Sequence, residues 1–183
     1  MPPSQPVDPT EARLVQRAVA GDREAFGDLY ERHLAAIYRY IFYRVGEARE
    51  AEDLTETVFL KAWQALNGYR PTEAPFAVWL YRIAHNLLVD RHRTRKEVEP
   101  LEDYHPDPSR ASDPEAQALA DEQQRALFSA LERLEPVQQQ VLTLRFIGGL
   151  SHAETAQITG HTEGAVRVIQ HRALIVMRQL LAR

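Results

Sequence analysis

The chain of 183 residues contains no cysteine. Disulfide bonds and thiolate metal sites are therefore excluded, and the seven histidines are scattered without the spacing of a metal-ligand set. Long hydrophobic runs are also missing, since no stretch approaches the ~18 apolar residues of a membrane span. The proline-rich residues 1–10 lack the basic and apolar parts of a signal peptide. We therefore expect a cytoplasmic protein with no membrane insertion and no cofactor or metal.

Catalytic patterns are absent as well. The sequence has no glycine-rich phosphate loop, no HExxH motif and no nucleophile with a placed base. Ser151 and Ser129 are better explained as a helix cap and a helix-surface residue. The sequence predicts a binding protein rather than an enzyme, with no small-molecule substrate.

Acidic charge is concentrated in one segment. The net charge is −4, yet residues 11–96 hold 14 Lys and Arg against 12 Asp and Glu, and residues 123–183 hold 7 against 4. Residues 97–122 hold 1 basic against 9 acidic residues. Two mildly basic segments therefore flank an acidic one, and 44% hydrophobic residues suffice for packed cores.

The acidic segment predicts a linker. Four prolines prevent a regular helix over its first two-thirds: Pro100, Pro106, Pro108 and Pro114. We expect a disordered N-terminus over 1–10, helical domains over 11–96 and 123–183, and a linker over 97–122. The favoured interpretation of the linker is a solvated spacer, and the second is a mimic of nucleic-acid phosphates that occupies a basic surface.

The segment 151–174 has the pattern of a helix-turn-helix. Ser151 and Glu154 form a capping box that opens the first helix, and Gly160 supplies the positive φ that ends it. Thr162 then caps a second helix, which carries basic side chains on the face opposite its apolar stripe. Such a helix can lie in a DNA major groove. The alternative is an antiparallel helical hairpin with a solvated basic face.

The N-terminal half predicts helices over 25–45, 51–66 and 77–93, without any alternating strand pattern, so the fold class is all-α. The helix over 51–66 has a polar face that includes an apolar residue, Leu60, which suits a protein partner.

A loop rich in glycine and proline, 67–76, contains aromatic residues that either pack on their own domain or offer faces for unpaired bases. The helix after it ends in a basic run over 91–96, which suits phosphate contacts.

These segments, in this order, resemble the sigma-70 family, specifically its small extracytoplasmic-function (ECF) sigma factors. The resemblance extends over residues 12–181, with landmarks at 25–45, 51–66, 74–93 and 134–174. It implies a region 2-like domain and a region 4-like helix-turn-helix domain, with core RNA polymerase, promoter DNA and an anti-sigma factor as partners. It also implies that the linker runs through the polymerase cleft. The alternative is a helix-turn-helix transcriptional regulator with an N-terminal helical sensor domain.

The resemblance assigns roles to three sets of residues. The set expected to bind core polymerase is Asp53, Glu56, Leu60, Lys61 and Gln64. The set expected to capture melted −10 DNA is Asn67, Tyr69, Arg70, Phe76, Trp79, Arg82, Asn86, Arg91 and Arg93. The set expected to read −35 duplex DNA is Thr162, Arg167, Val168, His171 and Arg172. The run Arg167–Gln170 departs from the Lys-Ser-Arg-Leu-like run of many members, and Val168 could contact a thymine methyl group.

Overall fold

The computed structural model describes residues 9–71, 74–95 and 114–182. All regular elements within these ranges are helical, which confirms the all-α prediction. They are α1 (Pro9–Val19), α2 (Arg23–Val45), α3 (Ala48–Ala65), a 3-10 turn (Leu66–Gly68), α4 (Phe76–Arg95), α5 (Pro114–Glu132), α6 (Pro136–Leu142), a π-helical turn (Thr143–Ile147), α7 (His152–Thr159) and α8 (Glu163–Leu181).

Local sequence sets the ends of the N-terminal helices. The Asp22 carboxylate accepts a hydrogen bond from the Ala25 amide at 3.1 Å and so caps the start of α2. Gly46 ends α2 in the left-handed conformation, with φ 79°. The Glu47 side chain accepts from the Arg49 and Glu50 amides and caps α3. The three helices predicted in this half are confirmed. Each begins one to three residues before its predicted start, and each end lies within two residues of the predicted one.

The N-terminal core lies between α2, α3 and α4. Its fully buried side chains include Leu29, Ile37, Ile41, Val58 and Leu80. Each such side chain contributes roughly 1.5–3 kcal/mol when it leaves water.

Helix α1 packs along α2. The Glu11 carboxylate lies 3.4 Å from His33 Nε2 and 3.5 Å from Arg32 Nη1. The neighbouring His33 ring is the main cause of the lowered pKa of Glu11, and Arg32 also lowers it. This polar contact fixes α1 on the N-terminal domain.

The C-terminal helices form two smaller cores. In the first, Ala173 and Met177 of α8 pack with Leu131 and Leu142. In the second, Val166 of α8 packs with residues of α6 and α7. Helix α8 is thus the centre of this half, and its other side remains available to solvent.

The two halves touch each other. Leu144, Leu150 and Ile158 belong to the same buried cluster as the N-terminal core. Helix α2 contacts the π-helical turn, and α4 contacts α7. In the described part of the chain, the N-terminal and C-terminal halves are therefore in direct contact.

The linker predicted over 97–122 lies outside the described residues as far as residue 113, as does most of the predicted N-terminal tail. Helix α5 begins at Pro114 and continues across the expected boundary at residue 122. The last third of the acidic segment is therefore helical. None of the described helices is both long and apolar enough to cross a membrane.

Candidate nucleic-acid and protein interfaces

The outer side of α3 presents one continuous exposed face. Its buried side carries Val58, Phe59 and Ala62, which belong to the core. Because these positions recur at helical spacing, the side chains between them point away from the domain. The structure exposes every residue of the predicted polymerase-binding set: Asp53, Glu56, Leu60, Lys61 and Gln64. Leu60 is 57% exposed, so this face carries an apolar side chain among its polar ones.

The loop after α3 contains a buried aromatic cluster. The rings of Tyr69 and Trp79 lie 4.8 Å apart, and each lies 5.6 Å from the ring of Phe76. The Tyr69 hydroxyl donates a hydrogen bond to the Ala74 carbonyl at 2.8 Å, and burial raises the pKa of Tyr69 to about 12. All three rings are at most 8% exposed. They therefore pack the loop onto its own domain, and stacking of a base on Tyr69, Phe76 or Trp79 does not fit this arrangement.

The remaining residues of the predicted −10 set divide into two groups. One group is exposed around the same loop and along α4: Asn67, Arg70, Arg82, Asn86 and Arg93. The Arg70 guanidinium donates to the carbonyls of Asn67 and Tyr69, at 3.1 and 3.2 Å, so it closes the 3-10 turn.

Arg91 differs from that group because its guanidinium pairs with the Glu50 carboxylate of α3. This ion pair joins α3 to α4 and occupies a side chain that was expected to bind phosphate.

A groove of about 450 Å³ lies between exposed side chains of α3 and α4. Lys61 and Gln64 line one wall, Asn86 and Asp90 line the other, and Trp79 and Ile83 form part of the lining. The groove joins the outer face of α3 to the exposed polar residues of α4. Within the described residues, no group of three or more His, Asp and Glu side chains is arranged to hold a metal ion.

The helix-turn-helix forms as the sequence predicts. The Ser151 hydroxyl accepts from the Glu154 amide at 3.1 Å, while the Glu154 carboxylate accepts from the Ser151 amide at 2.6 Å. Gly160 ends α7 with φ 70°, and the Thr162 hydroxyl accepts from the Ala165 amide at 3.2 Å to cap α8. These caps satisfy backbone donors that would otherwise lack partners at the helix starts.

The predicted −35 set lies on the exposed side of the helix-turn-helix: Thr162, Arg167, Val168, His171 and Arg172. Val168 is 50% exposed. Arg167 pairs with the Glu163 carboxylate one turn earlier, an exposed contact that DNA phosphates or base edges could replace.

Arg145 was not identified from the sequence. Its Nε donates to Gln170 Oε1 at 2.9 Å, and its Nη1 donates to the Leu150 carbonyl. Arg145 thereby connects the turn before α7 to α8, and the side chain of Gln170 serves as its hydrogen-bond acceptor on α8. No local pattern marks this arginine, because its partners come from two other segments.

The arginines also create a positive environment. Burial and the positive charges of Arg145 and Arg167 lower the pKa of His152. His152 is therefore disfavoured as a cation beside a surface that already carries two positive charges.

Comparison with known proteins identifies the families to which these two domains are similar. The sigma-70 region 2 family model matches residues 29–98, and the sigma-70 region 4 model matches residues 124–177. The chain is 42% identical to the ECF RNA polymerase sigma factor BldN of Streptomyces coelicolor over 171 residues, which is 92% of this chain and 64% of BldN. It thus spans slightly less than two thirds of that relative. It is 38% identical to the ECF RNA polymerase sigma factor SigD of Mycobacterium tuberculosis, over 88% of this chain and 79% of SigD.

Among solved structures, that of CnrH in complex with the cytosolic domain of CnrY resembles this fold with a TM-score of 0.73 and 26% identity, over 94% of this chain and 97% of CnrH. The order of the two matched regions, the helix-turn-helix geometry and these relatives agree. The chain belongs to the sigma-70 family, among the ECF RNA polymerase sigma factors.

Proposed function

We propose that this chain binds core RNA polymerase and directs it to promoters, where α8 binds −35 duplex DNA and the N-terminal domain captures melted −10 DNA. The observation that carries the proposal is the combination, on one chain, of an exposed helix-turn-helix recognition face and a separate exposed α3 face centred on Leu60. A DNA-binding domain alone does not require the second face. No covalent chemistry by this chain is needed.

The polymerase contact is assigned to the outer face of α3. Two carboxylates, Asp53 and Glu56, and the amide of Gln64 surround Leu60 there, all exposed. An apolar centre within a polar rim is the usual composition of a protein interface. We assign the opposing surface to the clamp helices of the polymerase largest subunit, as the family resemblance implies.

The −10 contact is assigned to the exposed polar residues beside the aromatic cluster. Asn67 and Asn86 can donate to and accept from base edges, whereas Arg70, Arg82 and Arg93 can pair with phosphates. Tyr69, Phe76 and Trp79 take a supporting role, because their buried rings hold the loop in place. Arg91 also supports the site, by joining α4 to α3.

The −35 contact is assigned to α8, whose N-terminal half presents the reading side chains. Arg167 and Arg172 can reach guanine edges or phosphates, His171 can donate to either, and Val168 can touch a thymine methyl group. Thr162 caps the start of the helix, where backbone amides favour an anion, and we assign it a phosphate contact.

Regulation by an anti-sigma factor and action in the cytoplasm complete the proposal. CnrH, the similar structure, was solved with the cytosolic domain of CnrY bound to it. Because core RNA polymerase acts in the cytoplasm, the proposal includes a cytoplasmic location for this chain.

The direct test is in vitro transcription from a promoter library with purified core polymerase, with and without the protein. We expect transcripts that share a two-part upstream motif only when the protein is present. Absence of such transcripts with an active core from the source organism would contradict the proposal. The regulator alternative is not favoured, and it makes a different prediction: the free protein would shift promoter DNA in a gel without polymerase.

A further inference from the structure

Helix α1 is connected to both ends of the loop that follows α3. Near the start of α1, the Glu11 side chain is only 19% exposed, and its carboxylate lies 3.4 Å from Nε2 of His33 on α2. The His33 side chain is 12% exposed, and its ring centre lies 5.6 Å from that of Phe76, the first residue of α4. Helix α1 also contacts the 3-10 turn Leu66–Gly68 directly. It thus contacts the start of the loop itself, and the end of the loop through His33.

The Glu11 carboxylate is held at this position by its charge. Burial by itself would raise the pKa of Glu11, yet the neighbouring His33 ring and Arg32 guanidinium lower the pKa below its usual value of 4.5. The attraction therefore exceeds the cost of desolvation, and Glu11 is charged at neutral pH. Another ion pair of α1, between Arg17 and Asp22, is more exposed to water and contributes less to the attachment of the helix.

The charge of Glu11 also reaches the loop. Burial, and after it the charge of Glu11, raise the pKa of the Tyr69 hydroxyl to about 12. Tyr69 packs against Phe76, and its amide donates a hydrogen bond to the Leu66 carbonyl at 3.0 Å. Glu11 is therefore close to both aromatic residues, Tyr69 directly and Phe76 through the His33 ring.

A change in the conformation of this turn would displace residues assigned to −10 DNA. Asn67 lies within the turn, and the Arg70 guanidinium donates to the carbonyls of Asn67 and Tyr69. The apparent affinity of a site falls in proportion to the fraction of molecules that have the binding-competent conformation. A contact that stabilises the turn can therefore raise the affinity for DNA without touching DNA.

We propose that Glu11 is a positioning residue for the −10 site. Its carboxylate holds the His33 ring against Phe76 and keeps α1 on the turn, so that the loop has the conformation that captures melted DNA before DNA arrives. The inference rests on the proposed function, which assigns this loop to −10 DNA. It gives α1, which contains none of the predicted DNA-binding residues, a part in promoter opening.

The test compares Glu11→Gln with wild type, each in complex with core polymerase. The substitution keeps the size of the side chain and removes its charge. The probe is a single-stranded oligonucleotide with the −10 sequence of a promoter that wild type uses. We expect its binding to weaken about three- to tenfold, while binding of the −35 duplex and of core polymerase stays within about twofold. Equal binding of the −10 probe by both proteins would overturn the inference.

Glu31→Gln is the matched control. Glu31 is exposed on α2, so the change removes the same charge from the surface of the same domain. Loss of a negative charge by itself strengthens binding to DNA phosphates. We therefore expect the control to bind the −10 probe as well as wild type does, or slightly better. Equal weakening by Glu11→Gln and Glu31→Gln would rule out a specific role of Glu11.

A double-mutant cycle tests whether Glu11 acts through His33. We expect His33→Gln to weaken binding of the −10 probe, and Glu11→Gln to add little further loss in that background, because the ring through which it acts is already gone. Fully additive losses would contradict the proposed route.

Hydrogen exchange measures the loop in the absence of DNA. Because the Tyr69 amide is hydrogen-bonded in the turn, its exchange rate reports how often the turn opens. In Glu11→Gln, we expect exchange about three- to tenfold faster at Tyr69 and unchanged at the buried Ile37 of α2. Unchanged exchange at Tyr69 would count against the inference. Equal acceleration at both amides would indicate a general loss of stability, and it would also contradict a positioning role.

The outcomes separate this inference from the proposed function. If wild type supports promoter-specific transcription but Glu11→Gln binds the −10 probe normally, the positioning role is wrong and the function stands. If wild type supports no promoter-specific transcription, the function is wrong, and the role of Glu11 in DNA capture is wrong with it.

Discussion

Replacement of Leu60 by alanine isolates the contribution of the α3 face to polymerase binding. The side chain is 57% exposed, so its removal leaves no cavity in the core, and the free energy of unfolding should change by less than ~0.5 kcal/mol. Complete burial of a leucine is worth roughly 1.5–3 kcal/mol. Burial of the part that is still exposed is then worth about 1–1.5 kcal/mol. We expect Leu60→Ala to weaken core binding about five- to tenfold.

Leu60→Asp should have a larger effect, because the interface would then have to desolvate a carboxylate beside Glu56. The measurement is a titration of labelled protein with core polymerase in the absence of DNA, with urea unfolding of each variant as the stability check. Val89→Ala is the matched control, since Val89 is 48% exposed on α4 and outside the proposed contact. Core binding of Leu60→Asp with wild-type affinity would refute the assignment of this face.

Three further predictions concern DNA binding, folding and pH. Arg172→Ala should weaken −35 binding by the holoenzyme by about 1–3 kcal/mol if the guanidinium reaches a base, or reduce the salt dependence of binding if it reaches a phosphate. DNA titrations at several salt concentrations distinguish these two results. No change in either the affinity or its salt dependence would contradict the assignment of the α8 recognition face. Ser151→Ala removes the cap of α7 and should lower the stability of the C-terminal domain by about 1 kcal/mol, which thermal unfolding followed by circular dichroism would detect; an unchanged midpoint would show that the cap is dispensable. Burial and the charge of Arg44 lower the pKa of His85 from 6.5 to about 4, so the neutral form stabilises the fold above pH 6.5 and this contribution is lost as the pH falls toward 4. Between pH 7 and 5, the free energy of unfolding of wild type, measured with urea, should fall by about 2 kcal/mol more than that of His85→Gln. Equal decreases would exclude this role of His85.

The elements that sequence alone predicted are those determined by neighbouring residues. The capping box of Ser151 and Glu154, the left-handed glycine at 160 and the polar face of α3 all depend on residues within a few positions of one another. Exposure of the α3 face and of the α8 face followed from the same periodicity.

The features that the sequence did not reveal depend on distant partners. The loop aromatics had two possible roles, and only the packing of Tyr69 against Phe76 and Trp79 distinguishes them in this structure. Arg91 looked like a phosphate ligand because its partner, Glu50, is 41 positions away. The contact of Gln140 with His85, 55 positions apart, is of the same kind. Periodicity describes which side of a helix is buried, but it does not say which element buries it.

The aromatic cluster beneath the loop after α3 has a consequence for the energetics of promoter opening. Ordering a flexible residue costs roughly 1–2 kcal/mol of backbone entropy, and extruding a base from the duplex costs a few kcal/mol more. Because Tyr69, Phe76 and Trp79 already pack together in the free protein, the backbone at these positions is ordered during folding rather than on DNA. The binding energy of the proposed −10 site then does not have to offset the ordering of these residues, and it can offset the cost of strand separation instead. Preorganisation at these three positions would favour binding of bases that are already unpaired over binding of intact duplex.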